Sequence, residues 1–129
     1  MNLEEILNKY PNKESCLNLL EICRWGDLII CPYCKSIYCT KIKNEYRHHC
    51  NTCNTTFSVT VNTLFHKTKI DFQKWFFLIK TIDSENKSSI RSLGQYLNLS
   101  KDSILFMQKR IKIGYFENKE LIENIKNNV

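Results

Sequence analysis

The 129-residue chain contains no alanine, only three glycines and two prolines, and no apolar run near the ~20 residues needed to cross a bilayer. Its first residues, Met1-Asn2-Leu3-Glu4-Glu5, are acidic and lack an apolar h-region, which excludes a visible secretory signal. These absences point to a reducing, intracellular compartment: the cytoplasm, or a nucleus or viral factory if the source is eukaryotic or viral. There, paired cysteines are metal ligands more often than disulfides. Seven cysteines would also leave one thiol outside any closed disulfide framework. Lysine outnumbers arginine fifteen to four, and asparagine and isoleucine are abundant, a bias expected of an AT-rich genome. A hydrophobic content of 43% and a charged content of 25% describe an ordinary globular chain, with no internal repeat or low-complexity segment.

Positive charge is concentrated in the middle. Residues 1–30 hold three Lys/Arg against five acids, and residues 113–129 hold two against three. Residues 31–66 hold four against one, and residues 67–112 hold ten against four. A basic segment of this kind suits a polyanionic partner, because displacing counterions from phosphates drives association. A solvated lysine-rich surface is the bland alternative.

Hydrophobic spacing divides the chain into short helices, a β-prone middle and a helical end. Leu3, Ile6, Leu7 and Tyr10 mark a first helix that stops at Pro11, and Asn12 caps a second with Cys16, Leu17, Leu20 and Cys23 on its inner face. Residues 37–42, 46–48 and 57–61 read as three strands. Asp71 caps a helix that buries Phe72, Trp75, Phe76, Ile79 and Ile82. Residues 84–88 form a polar connector, a helical pair runs from about 89 to 112, and a last helix covers about 117–127. The fold class expected is α+β: short N-terminal helices, a four-cysteine zinc ribbon of three strands, then a helical helix-turn-helix bundle. The division expected is 1–66 and 67–129.

Cys31-Pro32-Tyr33-Cys34 and Cys50-Asn51-Thr52-Cys53 are two C-x2-C pairs at zinc-ribbon spacing. A two-residue spacer lets both sulfurs of a knuckle face one ion, while the turn amides donate to the thiolates. Four thiolates close the coordination sphere, so the expected cofactor is one structural Zn(2+) that cannot activate water. Cys39, His48 and His49 lie close enough in sequence to substitute for a ligand. Cys16 and Cys23 read as core residues.

Residues 90–111 fit a helix-turn-helix at its restricted positions. Gly94 stands where the helices approach, Asn98 where the turn needs positive φ, Leu99 in the apolar slot and Ser100 at the next N-cap. Ile90, Leu93 and Leu97 would meet Ile104, Met107 and Ile111. The second helix then offers Lys101, Ser103 and Phe106 to base edges, and Lys109, Arg110 and Lys112 to phosphates. Lys35, Lys41, Lys43 and Arg47 of the ribbon would hold the backbone. A plain αα-hairpin is the alternative. Phe72, Trp75, Phe76 and Phe77 are at core spacing rather than forming a base-stacking platform, and His66 is assigned to the surface.

From Leu3 to about Lys112 the chain resembles the N-terminal region of a family of bacterial insertion-sequence transposases with a zinc ribbon and helix-turn-helix. The resemblance runs through Tyr10-Pro11, Arg24-Trp25, Cys31-Pro32-x-Cys34, Tyr46-x3-Cys50-x2-Cys53, Phe57-Ser58, Thr63-Leu64-Phe65, Lys74-Trp75-Phe76 and Leu93-x3-Leu97-x-Leu99-Ser100. It implies recognition of element DNA ahead of a DDE-type catalytic domain. With seventeen residues after Lys112, and Glu117, Glu120 and Glu123 at solvated helical spacing, no such domain is expected here, and the chain is read as non-catalytic. Lys35, where glycine is usual, is a departure expected to strain its turn. The partner expected is double-stranded DNA, with a separate catalytic subunit or transcription machinery as further partners, and neither a membrane nor a small-molecule substrate. Two alternatives stand beside this: a protein-interaction module of a transcription complex, and an inactive fragment or subunit of a split transposase.

Overall fold

A computed structural model describes residues 2–81 and 89–129; Ile82 and the expected connector at 84–88 lie outside the described residues. Asn2 accepts from the Glu5 amide and starts α1 (Leu3–Lys9). Asn12 and Ser15 form a reciprocal capping box at the start of α2 (Lys13–Trp25), which ends on Gly26 at φ +63°. The expected inner face of α2 is buried: Cys16, Leu17, Leu20 and Cys23. Of the residues whose spacing marks the first helix, Ile6 and Tyr10 are buried and Leu7 is exposed.

Three short antiparallel strands follow, β1 (Cys39–Lys41), β2 (His48–Cys50) and β3 (Thr56–Phe57), in the order β1-β2-β3. Cys39 pairs with Cys50, and His48 with Phe57. The third strand, expected to reach residue 61, ends at Phe57. Beyond it the Ser58 and Thr60 hydroxyls bond to each other, and Arg24 Nη1 takes the Val59 carbonyl at 2.8 Å.

The Asp71 carbonyl accepts from Lys74 and Trp75 at the start of α3 (Phe72–Thr81). Ser89 caps α4 (Ile90–Leu97), and Ser100 caps α5 (Lys101–Glu117) by accepting from the Ser103 amide. Between them Asn98 adopts the left-handed conformation at φ +56° and ψ +49°. The close approach at Gly94 is to the turn rather than to the opposite helix: an added Cβ would lie 2.7 Å from the Leu99 carbonyl oxygen.

α5 runs to Glu117, past the expected end near residue 112, before α6 (Lys119–Asn128). Gly114 does not stop the helix. A Cβ there would lie 2.8 Å from Ile122 Cδ1, so the glycine provides room for α6.

Two cores result. The larger joins α1–α6 through Ile6, Leu20, Trp75, Ile79, Met107 and Ile122 among others. It includes the expected helical-pair residues Leu93, Leu97, Ile104, Met107 and Ile111, with Ile90 packed against it. Phe72, Trp75 and Phe76 are buried here, as a core role for the aromatic cluster requires. The smaller core lies in the ribbon and consists of Cys31, Cys50 and Phe57, flanked by Trp25 and Ile29. No helix among the described residues is long and apolar enough to cross a membrane.

Candidate functional site

The two cysteine pairs fold as near-copies. In the first knuckle the Lys35 amide donates to the Cys31 carbonyl and the Cys31 amide to the Ser36 carbonyl. In the second, Asn54 donates to Cys50 and Cys50 to Thr55. The tight return places Lys35 at φ +66° and Asn54 at φ +64°. Asparagine tolerates that region, whereas lysine is strained there, as expected from its standing at the usual glycine position.

These turns bring the Sγ atoms of Cys31, Cys34, Cys50 and Cys53 within 4.8 Å of one another. Cys31 and Cys53 sulfurs are 3.7 Å apart, and those of Cys34 and Cys50 are 3.5 Å apart. A disulfide would need about 2.05 Å, whereas a tetrahedron with ~2.3 Å metal–sulfur bonds separates its sulfurs by about 3.8 Å. The arrangement has the dimensions of a metal cage.

Electrostatics agree with the geometry. Amides of Tyr33 and Cys34 donate to Cys31 Sγ, and that of Cys53 to Cys50 Sγ. The Cys53 amide leads in bringing the Cys50 thiol down to about 6. Cys34 is pushed up to about 12: the Ser36 amide favours its thiolate, but desolvation and the three neighbouring sulfurs outweigh it. Four crowded sulfurs cannot all ionise without a cation between them, and these four cysteines could hold a metal ion.

The three other candidate ligands have partners of their own outside the four-sulfur cluster, although Cys39 lies beside Cys50 across the β1–β2 pair. Cys39 is half-buried and donates to the Ser36 carbonyl at 3.6 Å. His49 Nε2 meets Asn54 Oδ1. His48 is buried and turns away to Glu21 of α2, stacked on Phe57 and edge-on to Trp25. Sequence reasoning misses this Glu21–His48 pair, because nothing local marks two residues 27 positions apart. With Arg24 on the Val59 carbonyl and Trp25 against Phe57, it fixes the ribbon to the last two turns of α2. The Arg24-Trp25 signature therefore has a docking role.

The basic candidates are spread over two faces. Lys35, Lys41, Lys43 and Arg47 are exposed on the ribbon, with Arg47 donating to Thr56 Oγ1 at 2.8 Å. On α5, Lys101, Lys109 and Lys112 are exposed, and half-buried Arg110 lies over the Phe106 ring at 5.2 Å. Ser103, expected at a base edge, has its hydroxyl engaged by Ser100 at 3.0 Å. Phe106 is 47% exposed, yet one edge of its ring rests on Trp75.

Residues 11–56 match the family model described as a transposase zinc-ribbon domain, of the IS1595 type. This stretch is similar to a transposase-type zinc ribbon. It contains both knuckles and the docking turn of α2. A protein of Halobacterium salinarum, described as an uncharacterized protein in transposable element ISH50, is 26% identical over 101 residues, covering 76% of this chain. The chain spans about a third of the length of that curated relative, 34%. No solved structure matches it.

Proposed function

We propose that this chain is a transposase-derived, zinc-dependent DNA-binding protein without a catalytic role of its own, acting in transposition or transcriptional regulation. In this reading Cys31, Cys34, Cys50 and Cys53 hold one structural zinc ion. α4 and α5 act as a helix-turn-helix that reads duplex DNA, and the basic ribbon holds the backbone. The observation that carries it is the turn: Asn98 in the left-handed region, Gly94 tight against Leu99 and a capped α5 with exposed Lys101, Lys109 and Lys112. Such a helix presents its N-terminal half to the major groove. Phe106 and Lys101 take the base-edge positions, Ser103 being engaged by its cap, and Lys109, Arg110 and Lys112 take phosphates. Lys35, Lys41, Lys43 and Arg47 extend phosphate contact along the ribbon.

A salt titration of duplex binding tests it. Affinity should fall steeply with salt, and Lys109→Ala with Arg110→Ala should flatten the slope by about 0.9 for each phosphate no longer neutralised. Affinity indifferent to both changes would overturn the helix-turn-helix assignment. For the metal, elemental analysis should find one zinc per chain.

One observation favours a second reading, a ribbon that docks protein in a transcription complex. Tyr33, Ile37 and Tyr38 are at least half exposed on the ribbon, Tyr38 at 70%. A complex that survives high salt but is abolished by Tyr38→Ser would support that reading.

A further inference from the structure

The DNA reading leaves the segment between the ribbon and the helical pair without a role. Residues 66–70, His-Lys-Thr-Lys-Ile, lie between two grooves. The larger, about 1020 Å³, is lined by Lys13, Arg47, Lys67, Lys69 and Lys74, with Glu45 and Asp71 as its acids. The smaller, about 270 Å³, is bordered by His66, Lys67, Lys69, Phe106 and Arg110. Lys67 and Lys69 belong to both, so positive charge continues from the ribbon's hairpin to α5. Among the described residues no carboxylate pairs with Lys67, Lys69 or Lys74.

This segment is ordered by a definite device. Thr68 Oγ1 accepts from Trp75 Nε1 at 2.9 Å and from the Ile70 amide at 3.2 Å, and the Thr68 amide donates to the Phe65 carbonyl. Trp75 is fully buried, so the loop is pinned to the main core midway between its two exposed lysines. The same indole supports Phe106, over which Arg110 is stacked. One core residue thus sets the positions of Lys67, Lys69 and Arg110 together. Cations held in advance lose less freedom on meeting an anion than free side chains do.

We propose that residues 66–70 form a phosphate-binding bridge, in which Lys67 and Lys69 with Arg110 grip the duplex backbone and join the α5 and ribbon contacts into one path. The bridge rests on the DNA-binding reading and adds phosphate partners that reading does not contain. Thr68 is its positioning residue.

The test uses the full zinc-loaded chain, a labelled random-sequence duplex and anisotropy across a salt series. Lys67→Asn with Lys69→Gln suits the backbone, since asparagine accepts the φ of +58° at position 67. This pair should lower the slope of log affinity against log salt by about 1.8, two phosphates at about 0.9 each. The charge-matched pair Lys80→Gln with Lys119→Gln should leave the slope near that of the unaltered protein. Thr68→Val keeps every charge and should still weaken binding severalfold. Equal effects from the two lysine pairs would mean diffuse charge and overturn the bridge. An unchanged slope for the Lys67/Lys69 pair, with the slope still lowered by Lys109→Ala, would overturn the bridge and leave the α5 reading standing. No duplex binding by the unaltered protein would overturn both. Polyglutamate binding as tightly as the duplex would overturn DNA as the occupant.

Discussion

At Asn98 the backbone requires a conformation costing most side chains about 1–2 kcal/mol, and at Gly94 a methyl group would meet a backbone oxygen that cannot swing aside. Asn98→Gly should therefore stay within a few tenths of a kcal/mol of the parent, while Asn98→Val should lose roughly 1–2 kcal/mol in urea denaturation. Gly94→Ala should destabilise by about 1–3 kcal/mol even though alanine has the better helix propensity; a stabilised variant would refute the tight turn. Both positions are legible in the sequence, because a restricted φ at Asn98 and a lack of space at Gly94 leave few residue types to choose from. The cysteines are legible for a similar reason: two-residue spacing follows from ligand geometry. Burial pushes the Cys16 and Cys23 thiols up to about 11, so the folded state keeps protons that the unfolded chain releases from about 9. Their contribution to stability is intact below about 9 and declines as pH rises toward 11. Neither thiol should alkylate in the native protein at mildly alkaline pH. Mass spectrometry should find Cys39 as the first site modified in the metal-loaded chain, and the four knuckle cysteines modified as well after chelation. Early labelling of Cys23 would contradict its burial.

Among the elements, α2 and α6 do work that no single segment announces. The last two turns of α2 supply Glu21, Arg24 and Trp25 to the ribbon, each meeting a residue more than twenty positions away. α6 closes the main core with Leu121, Ile122 and Ile125, and its terminal carbonyls are taken by side chains from other helices. Lys9 Nζ and Tyr10 Oη reach the Asn128 carbonyl, and Lys80 Nζ reaches that of Lys126. Cations at a helix C-terminus complement its dipole and satisfy carbonyls that have no intrahelical partner. Periodicity reveals α6 as a helix, but its partners depend on long-range packing and are not readable. Gly114 shows the limit well: an interior glycine suggests a weak point, and here it is the notch into which Ile122 fits. Ile122→Ala should cost about 2–5 kcal/mol because the site is fully buried. Gly114→Ala should cost less than that, because the atom it meets is the end of the Ile122 side chain and alanine is the better helix former, and shortening Ile122 should relieve it. A double-mutant cycle would detect that coupling, and strict additivity would argue against the fit of Ile122 into the notch.

For the whole molecule, the question is what happens when the metal is removed. The ribbon's own core holds Cys31, Cys50 and Phe57, far too little apolar surface to order three strands of two or three residues. In the zinc reading proposed above, its stability comes from the ion and from docking on α2. The helical core differs: α1 packs on α3, α2 on α6 and α4 on α5, and none of this packing passes through the knuckle cysteines. Sequence order groups residues 1–66 as one unit, because α1 and α2 precede the knuckles. Packing instead leads us to expect that chelation melts the ribbon alone, roughly residues 27–61, and leaves α1 and α2 folded with the C-terminal helices. Hydrogen exchange after chelation should show protection abolished at β1–β3 and retained in α2, α3 and α6, while far-UV dichroism keeps most of its helical signal. Under the proposed DNA-binding function, duplex affinity should drop without vanishing, since α5 keeps its support while the ribbon no longer presents its lysines. Simultaneous deprotection of α2 and the ribbon would show that residues 1–66 unfold as one unit after all. Cys50→Ser should reproduce the chelated state at any zinc concentration, which separates the effect of the missing ion from that of the chelator.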